Sequence, residues 1–419
     1  MKGSKGVPRL QGERRRWLAL RGLLGPDAQG ARQSLAALAI SSVTSVGAGV
    51  ALASVTDTLE RLPGLLVLVP AAIGMRGNIF GALGSRLSTT IHAGTFRFTT
   101  RRDNVVVQNV IAASILTLVT AVALGALTKA VAPAFGLEGV ISFADLVVVS
   151  GVGAVFASVL VLVVTLALAG GSVRYGWDLD NVNAPLVSAV GDVVTLPALV
   201  GATWLVSKSV VTPALATVLV AGSVLALLWA SRSQLSLLVD IVRESLPILL
   251  STGVLLVIAG VVIEHRLDDF AEYTALMVLV PASLAGAGAV GGILSGRLSS
   301  KLHLGVVETS AIPNLSARRD IQMAFLISLP VFLSNAILAQ VVSTVWHLNS
   351  PGFGRLIAVS MIGGMVATLF ATVIAYYGTV SAVRIGVDPD SYGIPLVTSA
   401  VDLIGAAALV FAISAVGLP

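Results

Sequence analysis

The chain has 419 residues, of which 56% are hydrophobic and 11% charged, and it contains no cysteine. Soluble globular domains have about 25% charged residues, so this composition excludes a soluble globular protein. It also excludes an intrinsically disordered chain, a collagen-like chain and a disulfide scaffold. The mean hydropathy of +0.95 instead indicates a polytopic membrane protein in contact with lipid. The pI near 9.8 is interpreted as a topology signal, and no nucleic-acid partner is expected.

Windows of about 20 apolar residues, the length that crosses the hydrocarbon core of a bilayer, predict eleven transmembrane helices. The fold class is therefore an all-α polytopic membrane protein. A β-barrel would show spans of about 10 residues with alternating polarity, and the apolar runs here are continuous. The predicted spans are 34–56, 63–85, 104–130, 143–171, 184–206, 209–231, 246–263, 272–296, 321–346, 354–380 and 394–417.

The distribution of basic residues predicts the orientation of the chain. With residues 1–33 as a basic tail inside the cell, 20 of the 26 Lys and Arg lie on the inner side and five on the outer side. Cytoplasmic loops of membrane proteins carry an excess of Lys and Arg. The N-terminus is therefore expected in the cytoplasm and the C-terminus outside. Arg76 falls within the second span.

The sequence contains an internal repeat with an offset of 210 or 211 residues. One five-helix copy covers 34–207 and the other 234–419, and an extra helix at 208–233 joins them. The extra helix gives both copies the same orientation, related by an axis along the membrane normal, and a transport path is expected between them. The recurring segments are Val67-Leu68-Val69-Pro70 and Val278-Leu279-Val280-Pro281, Pro185-Leu186-Val187-Ser188 and Pro395-Leu396-Val397-Thr398, and, after a loop six residues longer, Arg101-Arg102-Asp103 and Arg318-Arg319-Asp320.

Two acidic residues lie well inside predicted spans, at matched positions of the two copies: Asp192 and Asp402. Inserting an aspartate at a helix centre costs about 3 kcal/mol, so a matched pair calls for a partner or a function. Ser188 and Thr398 lie one turn earlier on the same helix faces. Oxygen ligands without thiolates or clustered histidines suit a hard divalent cation. The alternative is that each aspartate bonds a neighbouring helix and has only a structural role.

Small residues spaced at three and four line one face of the second and the eighth span. Such a face allows close helix packing of the GxxxG type, which is the simpler interpretation. It also exposes backbone carbonyls to a pore, and Asn78 adds an amide that orients a hydrated cation in the first copy. The predicted pore-lining glycines are Gly74, Gly77, Gly81, Gly288 and Gly292.

Other polar features have two interpretations each. Asp178, Asp180, Asp388 and Asp390 are expected as helix caps, with a cytoplasmic metal site as the alternative. Acidic residues of the outer loops, Glu264 among them, either concentrate cations or are simply solvated. His92 and His303 are expected to anchor helix ends at the interface. No Walker A, zincin, nucleophile-elbow or dinucleotide motif is present, so neither enzymatic activity nor a cofactor is expected.

Two segments of the first copy carry a resemblance to a known family. Residues Pro70 to Gly94 (PAAIGMRGNIFGALGSRLSTTIHAG) and Pro185 to Asp192 (PLVSAVGD) resemble the MgtE and solute-carrier-41 divalent-cation transporters. The resemblance implies Mg²⁺ transport, with Asp192 and Asp402 in the pore and Asn78 as the family's asparagine. Two fused copies are similar to the solute-carrier-41 branch. The second copy departs from the pattern at Ala289 and Gly296, which argues against a symmetric site.

The leading hypothesis is therefore a plasma-membrane transporter of Mg²⁺ or other divalent cations, with Asp192, Asp402, Asn78, Ser188 and Thr398 at the metal site. One chain would act as a pseudo-dimer, and homo-oligomerisation stays open. Na⁺-coupled Mg²⁺ exchange is a second hypothesis. A non-transporting membrane scaffold, in which the paired aspartates hold helices together, is a third.

Overall fold

The computed structural model describes residues 28–99, 101–176, 179–303, 305–385 and 394–418. These residues form eleven long helices and two six-residue helices, Thr56–Arg61 and Leu267–Glu272, and the described part of the chain contains no strand. The long helices are α1 (Ala28–Ala53), α2 (Leu65–His92), α3 (Val105–Ala134), α4 (Phe143–Tyr175), α5 (Leu179–Thr203), α6 (Val211–Ser231), α7 (Ser236–Glu264), α8 (Thr274–His303), α9 (Leu315–Val345), α10 (Phe353–Arg384) and α11 (Ile394–Ala415).

The predicted all-α membrane fold of about eleven helices is confirmed. Ten helices, α2 to α11, are long and apolar enough to cross a membrane, and α1 contributes a shorter apolar segment, Leu38–Ala53. The largest difference in a boundary is at α7, which begins at Ser236 and not at 246. Charged side chains lower the mean hydropathy of this extension, so a hydropathy window does not predict it as part of the helix. Gln108 of α3 anchors it, accepting a hydrogen bond from the backbone N–H of Leu238 over 3.1 Å.

The third helices of the two halves show that one predicted repeat pair was wrong. Asn104 caps α3 and Asn314 caps α9 through side-chain hydrogen bonds, so the helices begin within one residue of the same point of the repeat. The loop before α9 is therefore not six residues longer, and the two Arg-Arg-Asp segments are not structural counterparts. The counterpart of Asp320 is Asn109, as shown by matched bonds from Arg297 Nε to Asp320 and from Arg86 Nε to Asn109.

The first helix of each half packs against the second helix of the other half. Helix α1 contacts α8, and α7 contacts α2. Gly49 lies against the backbone of Val278, and Gly260, its counterpart, lies against the backbone of Val67, so that a side chain at either glycine would overlap a carbonyl group. Glycine is needed at both positions because two helix backbones approach closely there. The two halves therefore contact each other closely at two helix crossings, which occupy counterpart positions of the repeat.

Helices α2 and α8 lie at the centre of the bundle. Of the most apolar 18-residue window of each, 72% is buried, whereas for α6 the share is 17%. Helix α6 packs mainly on α3 and α4 of the first half and exposes large apolar side chains such as Val218 and Leu225. An exposed apolar face on a spanning helix is suited to lipid. The small-residue faces of α2 and α8 are therefore internal, and α6 is peripheral.

Candidate functional site

Asp192 lies on α5 in the interior of the bundle. Its residue surface is 1% exposed, and Ser45 of α1 donates a hydrogen bond to its Oδ2 over 2.5 Å. The other carboxylate oxygen, Oδ1, is buried and has no hydrogen-bond partner among the described residues. Buried polar atoms are nearly always satisfied in native proteins. The unpartnered oxygen is therefore available to a cation or to a water molecule that a cation holds.

Asp402 lies on α11 between the two central helices. A Cβ built on Gly74 of α2 would be 3.3 Å from Asp402 Oδ2, and one built on Gly288 of α8 would be 3.0 Å from Oδ1. The carboxylate accepts no hydrogen bond from the part of the chain that the structure describes, and the residue is half-buried. Two glycines thus leave space on both sides of a half-buried acid.

Asn78 connects α2 of the first half with α11 of the second half. Its Nδ2 donates a hydrogen bond to Ser399 Oγ over 3.0 Å, and its Oδ1 accepts one from Thr398 Oγ1 over 3.3 Å. Thr398 precedes Asp402 by one helical turn, so the three predicted site residues Asn78, Thr398 and Asp402 belong to one cluster. This cluster contains groups from both halves.

The remaining predicted residues divide between the two aspartates. Ser188 is half-buried one turn before Asp192. Gly292 lies near Thr398, whose Cγ2 would be 3.6 Å from an added Cβ, whereas Gly77 and Gly81 face open space with no atom within 4 Å. These glycines are only half-buried although they belong to the most deeply buried helices. They therefore border a gap inside the bundle.

The two aspartates have different neighbours in spite of their matched positions. The counterpart of Ser45 is Leu256, whose side chain packs against Gly74 and offers no hydroxyl to Asp402. The counterpart of Asn78 is Ala289. Asp192 is therefore held by a hydrogen bond within its own half, while Asp402 has no such bond from the described residues. The surroundings of the two aspartates thus differ, and an asymmetric ion site stays a prediction.

Sequence reasoning missed Ser45 and Ser399. Each is one of many hydroxyl residues in apolar helices, and its partner is 147 or 321 residues away. The repeat gives no signal at Ser45, since Leu256 occupies the counterpart position.

Arg76, the cation predicted within a span, lies on α2 and is 4% exposed. Its Nη1 donates a hydrogen bond to Thr195 Oγ1 of α5. At the counterpart positions of the second half, Ala287 faces Gly405, on which an added Cβ would be 3.5 Å from the alanine Cβ. This polar contact thus has no equivalent at the counterpart positions Ala287 and Gly405.

Of the outer acidic residues, Glu264 has a structural contact. It is 8% exposed and accepts a hydrogen bond over 3.0 Å from the backbone N–H of Gly64, the residue before α2. It caps a helix of the other half, so neither the solvated interpretation nor simple cation attraction describes it. His92 is exposed at the end of α2. Asp178, Asp388 and Asp390, and the side chains of Asp180 and His303, lie outside the described residues.

Among the described residues, no group of three or more His, Cys, Asp or Glu side chains is placed to hold a metal ion. A cation in this interior therefore meets at most two carboxylates and has to be held by amide, hydroxyl or carbonyl oxygens and by its own water.

The fold and these acids define a polytopic membrane protein with a polar site between two homologous halves. The family model of the MgtE divalent cation transporters matches residues 69–202 and 280–412, together well over half of the chain. The protein therefore belongs to the MgtE family of divalent cation transporters. The matched segments begin 211 residues apart, which is the offset of the internal repeat.

Curated relatives match almost the whole chain. Solute carrier family 41 member 2 of Gallus gallus is 24% identical over 416 residues, which cover 90% of this chain and 69% of the relative. The protein of the same name in Homo sapiens shows the same identity and coverage. Solute carrier family 41 member 3 of Mus musculus is 25% identical over 374 residues, covering 82% of this chain and 74% of the relative. No solved structure matches the chain.

Proposed function

We propose that the protein transports Mg²⁺ across the plasma membrane through a passage between its two halves. The observation that carries the proposal is the state of the two carboxylates. Asp192 Oδ1 is buried without a partner among the described residues, and the Asp402 carboxylate lies against Gly74 and Gly288. A cation between or beside two such carboxylates stabilises their charged forms.

The ion is proposed to be held largely through its hydration shell. Mg²⁺ loses water reluctantly and is usually bound by one or two carboxylates together with several waters. Asp192 and Asp402 supply the negative charge. Asn78, Ser188 and Thr398 are proposed to hydrogen-bond the waters of the ion, and the half-buried faces at Gly77 and Gly81 to leave room for a hydrated ion to pass.

The wider arrangement follows from the charge pattern and from the repeat. We propose that the N-terminus lies in the cytoplasm and the C-terminus outside, because most basic residues then lie on the inner side. One chain supplies both halves of the passage, since Asn78 and Asp402 come from different halves. The partners in this proposal are the transported divalent cation and membrane lipid, without a resident cofactor.

The double variant Asp192→Asn with Asp402→Asn tests the proposal in proteoliposomes. Mg²⁺ uptake, followed with an entrapped fluorescent indicator, is expected to fall to the level of empty vesicles. Asp57→Asn, which removes an exposed acid before α2, is the matched control and should retain uptake. Undiminished uptake by a folded double variant would falsify the proposed role of the two acids.

The same vesicles address the other two hypotheses. An imposed Na⁺ gradient that drives Mg²⁺ uphill would identify Na⁺-coupled exchange in place of passive passage. A scaffold would give no uptake and no change of Tm with Mg²⁺, whereas an ion site raises Tm with Mg²⁺ concentration because only the folded state binds the ion.

A further inference from the structure

The guanidinium of Arg76 has few partners for a buried cation. It has five N–H donors and stays charged in proteins, yet its described hydrogen bond is to Thr195 alone. Within the described part of the chain no aspartate or glutamate forms an ion pair with it; the ion pairs found there join Arg297 and Lys301 to Asp320. A charge buried without a counter-ion is strongly unfavourable.

A small cavity of about 20 Å³ adjoins Arg76 between α2, α3 and α4. Thr117 of α3 and Ser158 of α4 line it, and their hydroxyl oxygens are buried without a hydrogen-bond partner. The other two hydroxyls of its lining are satisfied: Thr120 donates to the carbonyl of Leu116 and Ser150 to that of Ala121. One buried guanidinium and two hydroxyls without a hydrogen-bond partner thus border the same small space.

The second half has apolar groups at three of the counterpart positions. Ala287 replaces Arg76, Val331 replaces Thr120 and Phe332 replaces Ala121. Phe332 is fully buried, and its ring lies where a side chain at Gly364 would be. Because the two halves share one fold, the second half shows how the same position is packed without the arginine. There the ring of Phe332 fills space between the helices.

We propose that the cavity beside Arg76 binds a small inorganic anion of the halide class, such as chloride. A cavity needs about 10–15 Å³ to hold a water-sized occupant, and this one is large enough for a single monatomic ion. A halide is an acceptor only, and it complements the guanidinium and the two hydroxyls. The anion neutralises Arg76 beside α5, the helix that carries Asp192, and so reduces the repulsion of a cation at that acid.

The test measures Tm of the full chain in lipid nanodiscs, with tryptophan fluorescence as the signal. Chloride or bromide is titrated against gluconate at constant ionic strength. Tm is expected to rise and saturate with halide, since a ligand of the folded state stabilises it by mass action. Arg76→Gln is expected to abolish this rise. Ser158→Ala removes one charge-assisted hydrogen bond, and the apparent Kd for bromide is expected to increase about tenfold.

Ser328→Ala is the matched control. Ser328 is the counterpart of Thr117 in the second half and donates to the carbonyl of Phe325, so the halide response should equal that of the wild type. Equal Tm values of the wild type in chloride and gluconate would overturn the proposal and leave water as the occupant. A response in Ser158→Ala identical to the wild type would overturn the assigned location. Neither readout depends on Mg²⁺ transport, so this test and the transport test fail independently.

Discussion

Asn78 Nδ2 donates a hydrogen bond to Ser399 Oγ over 3.0 Å, although the two residues are 321 positions apart and belong to different halves. The same side chain accepts a hydrogen bond from Thr398, one turn before Asp402. The second half cannot form the reciprocal contact, because Ala289 stands at the counterpart position of Asn78. The proposed ion site is therefore built once, across the interface, and not twice about an exact twofold axis.

Replacing Asn78 is expected to reduce Mg²⁺ uptake about tenfold. The variant Asn78→Ala introduces the residue that the second half has at the counterpart position. It removes two hydrogen bonds between the halves, each contributing about 1 kcal/mol. Thr398 then loses its hydrogen bond to Asn78 and keeps the one to the carbonyl of Pro395. Initial uptake rates in proteoliposomes measure the effect. Ala289→Ser, a small change at the matched position, should leave the rate within about twofold, and wild-type uptake by Asn78→Ala would remove this residue from the site.

The two aspartates are expected to contribute unequally when replaced singly. Asp192 is tied to Ser45, and an asparagine there retains an acceptor for that hydroxyl. Asp402 lies against two glycines and accepts no hydrogen bond from the described residues, so its charge is expected to act on the ion directly. Asp402→Asn should lower uptake at least about tenfold more than Asp192→Asn does, since charge-assisted contacts contribute about 1.5–3 kcal/mol. Equal losses, or a larger loss for Asp192→Asn, would contradict this asymmetry.

The fold was predictable because lipid limits what a spanning segment can be. Every backbone polar group must be satisfied within its own helix, so long apolar runs marked the helices. Outside the hydrocarbon core this constraint does not apply, and the predicted helix boundaries were less accurate there. Helix α7 extends to Ser236 through polar residues at the membrane surface. The Arg-Arg-Asp pairing failed because the first of the two segments lies in the loop before α3 and the second lies inside the first turns of α9.

The site could be predicted only at residues whose insertion into the membrane costs much free energy, because such residues are rare in spanning segments. Asp192 and Asp402 stood out because a membrane acid is expensive and they occupy matched positions. Their neighbours depend on helix packing over long sequence distances. Serine is common in membrane helices and often bonds its own backbone, as Ser114 does here with the carbonyl of Val110. Nothing local distinguished Ser45, which bonds Asp192, from such residues.

Replacing Asp320 should destabilise the second half near the beginning of α9. Asp320 Oδ1 accepts from Arg297 at 3.1 Å and Oδ2 from Lys301 at 2.5 Å, and its side chain is 3% exposed. Asp320→Asn introduces the residue type that the first half has at the counterpart position, Asn109. It leaves both cations without this counter-ion. The cations are 36% and 26% exposed, so water screens part of the loss, and about 1–2 kcal/mol is expected.

The Tm in nanodiscs at low salt measures the loss at Asp320. Asn109→Asp is the reciprocal control: the counterpart of Lys301 in the first half is Thr90, so the new acid gains only Arg86, and Tm should change little. Salt should narrow the difference between wild type and Asp320→Asn, because screening weakens the pairs that only the wild type has. A difference that does not depend on salt would show that the ion pairs are not its cause.

Two glycines inside helices, Gly260 and Gly77, are expected to differ in how a larger side chain affects stability and uptake. Gly260 lies against the backbone of Val67, so Gly260→Ala forces apart α7 and α2 and should lower stability by about 1–3 kcal/mol. Gly77 faces open space, so Gly77→Leu should keep the wild-type Tm. If the gap at Gly77 belongs to the ion passage, the leucine fills it and Mg²⁺ uptake falls in a protein that remains stable. Full uptake by Gly77→Leu would place the passage elsewhere, while a normal Tm for Gly260→Ala would mean that the two helices do not cross in contact.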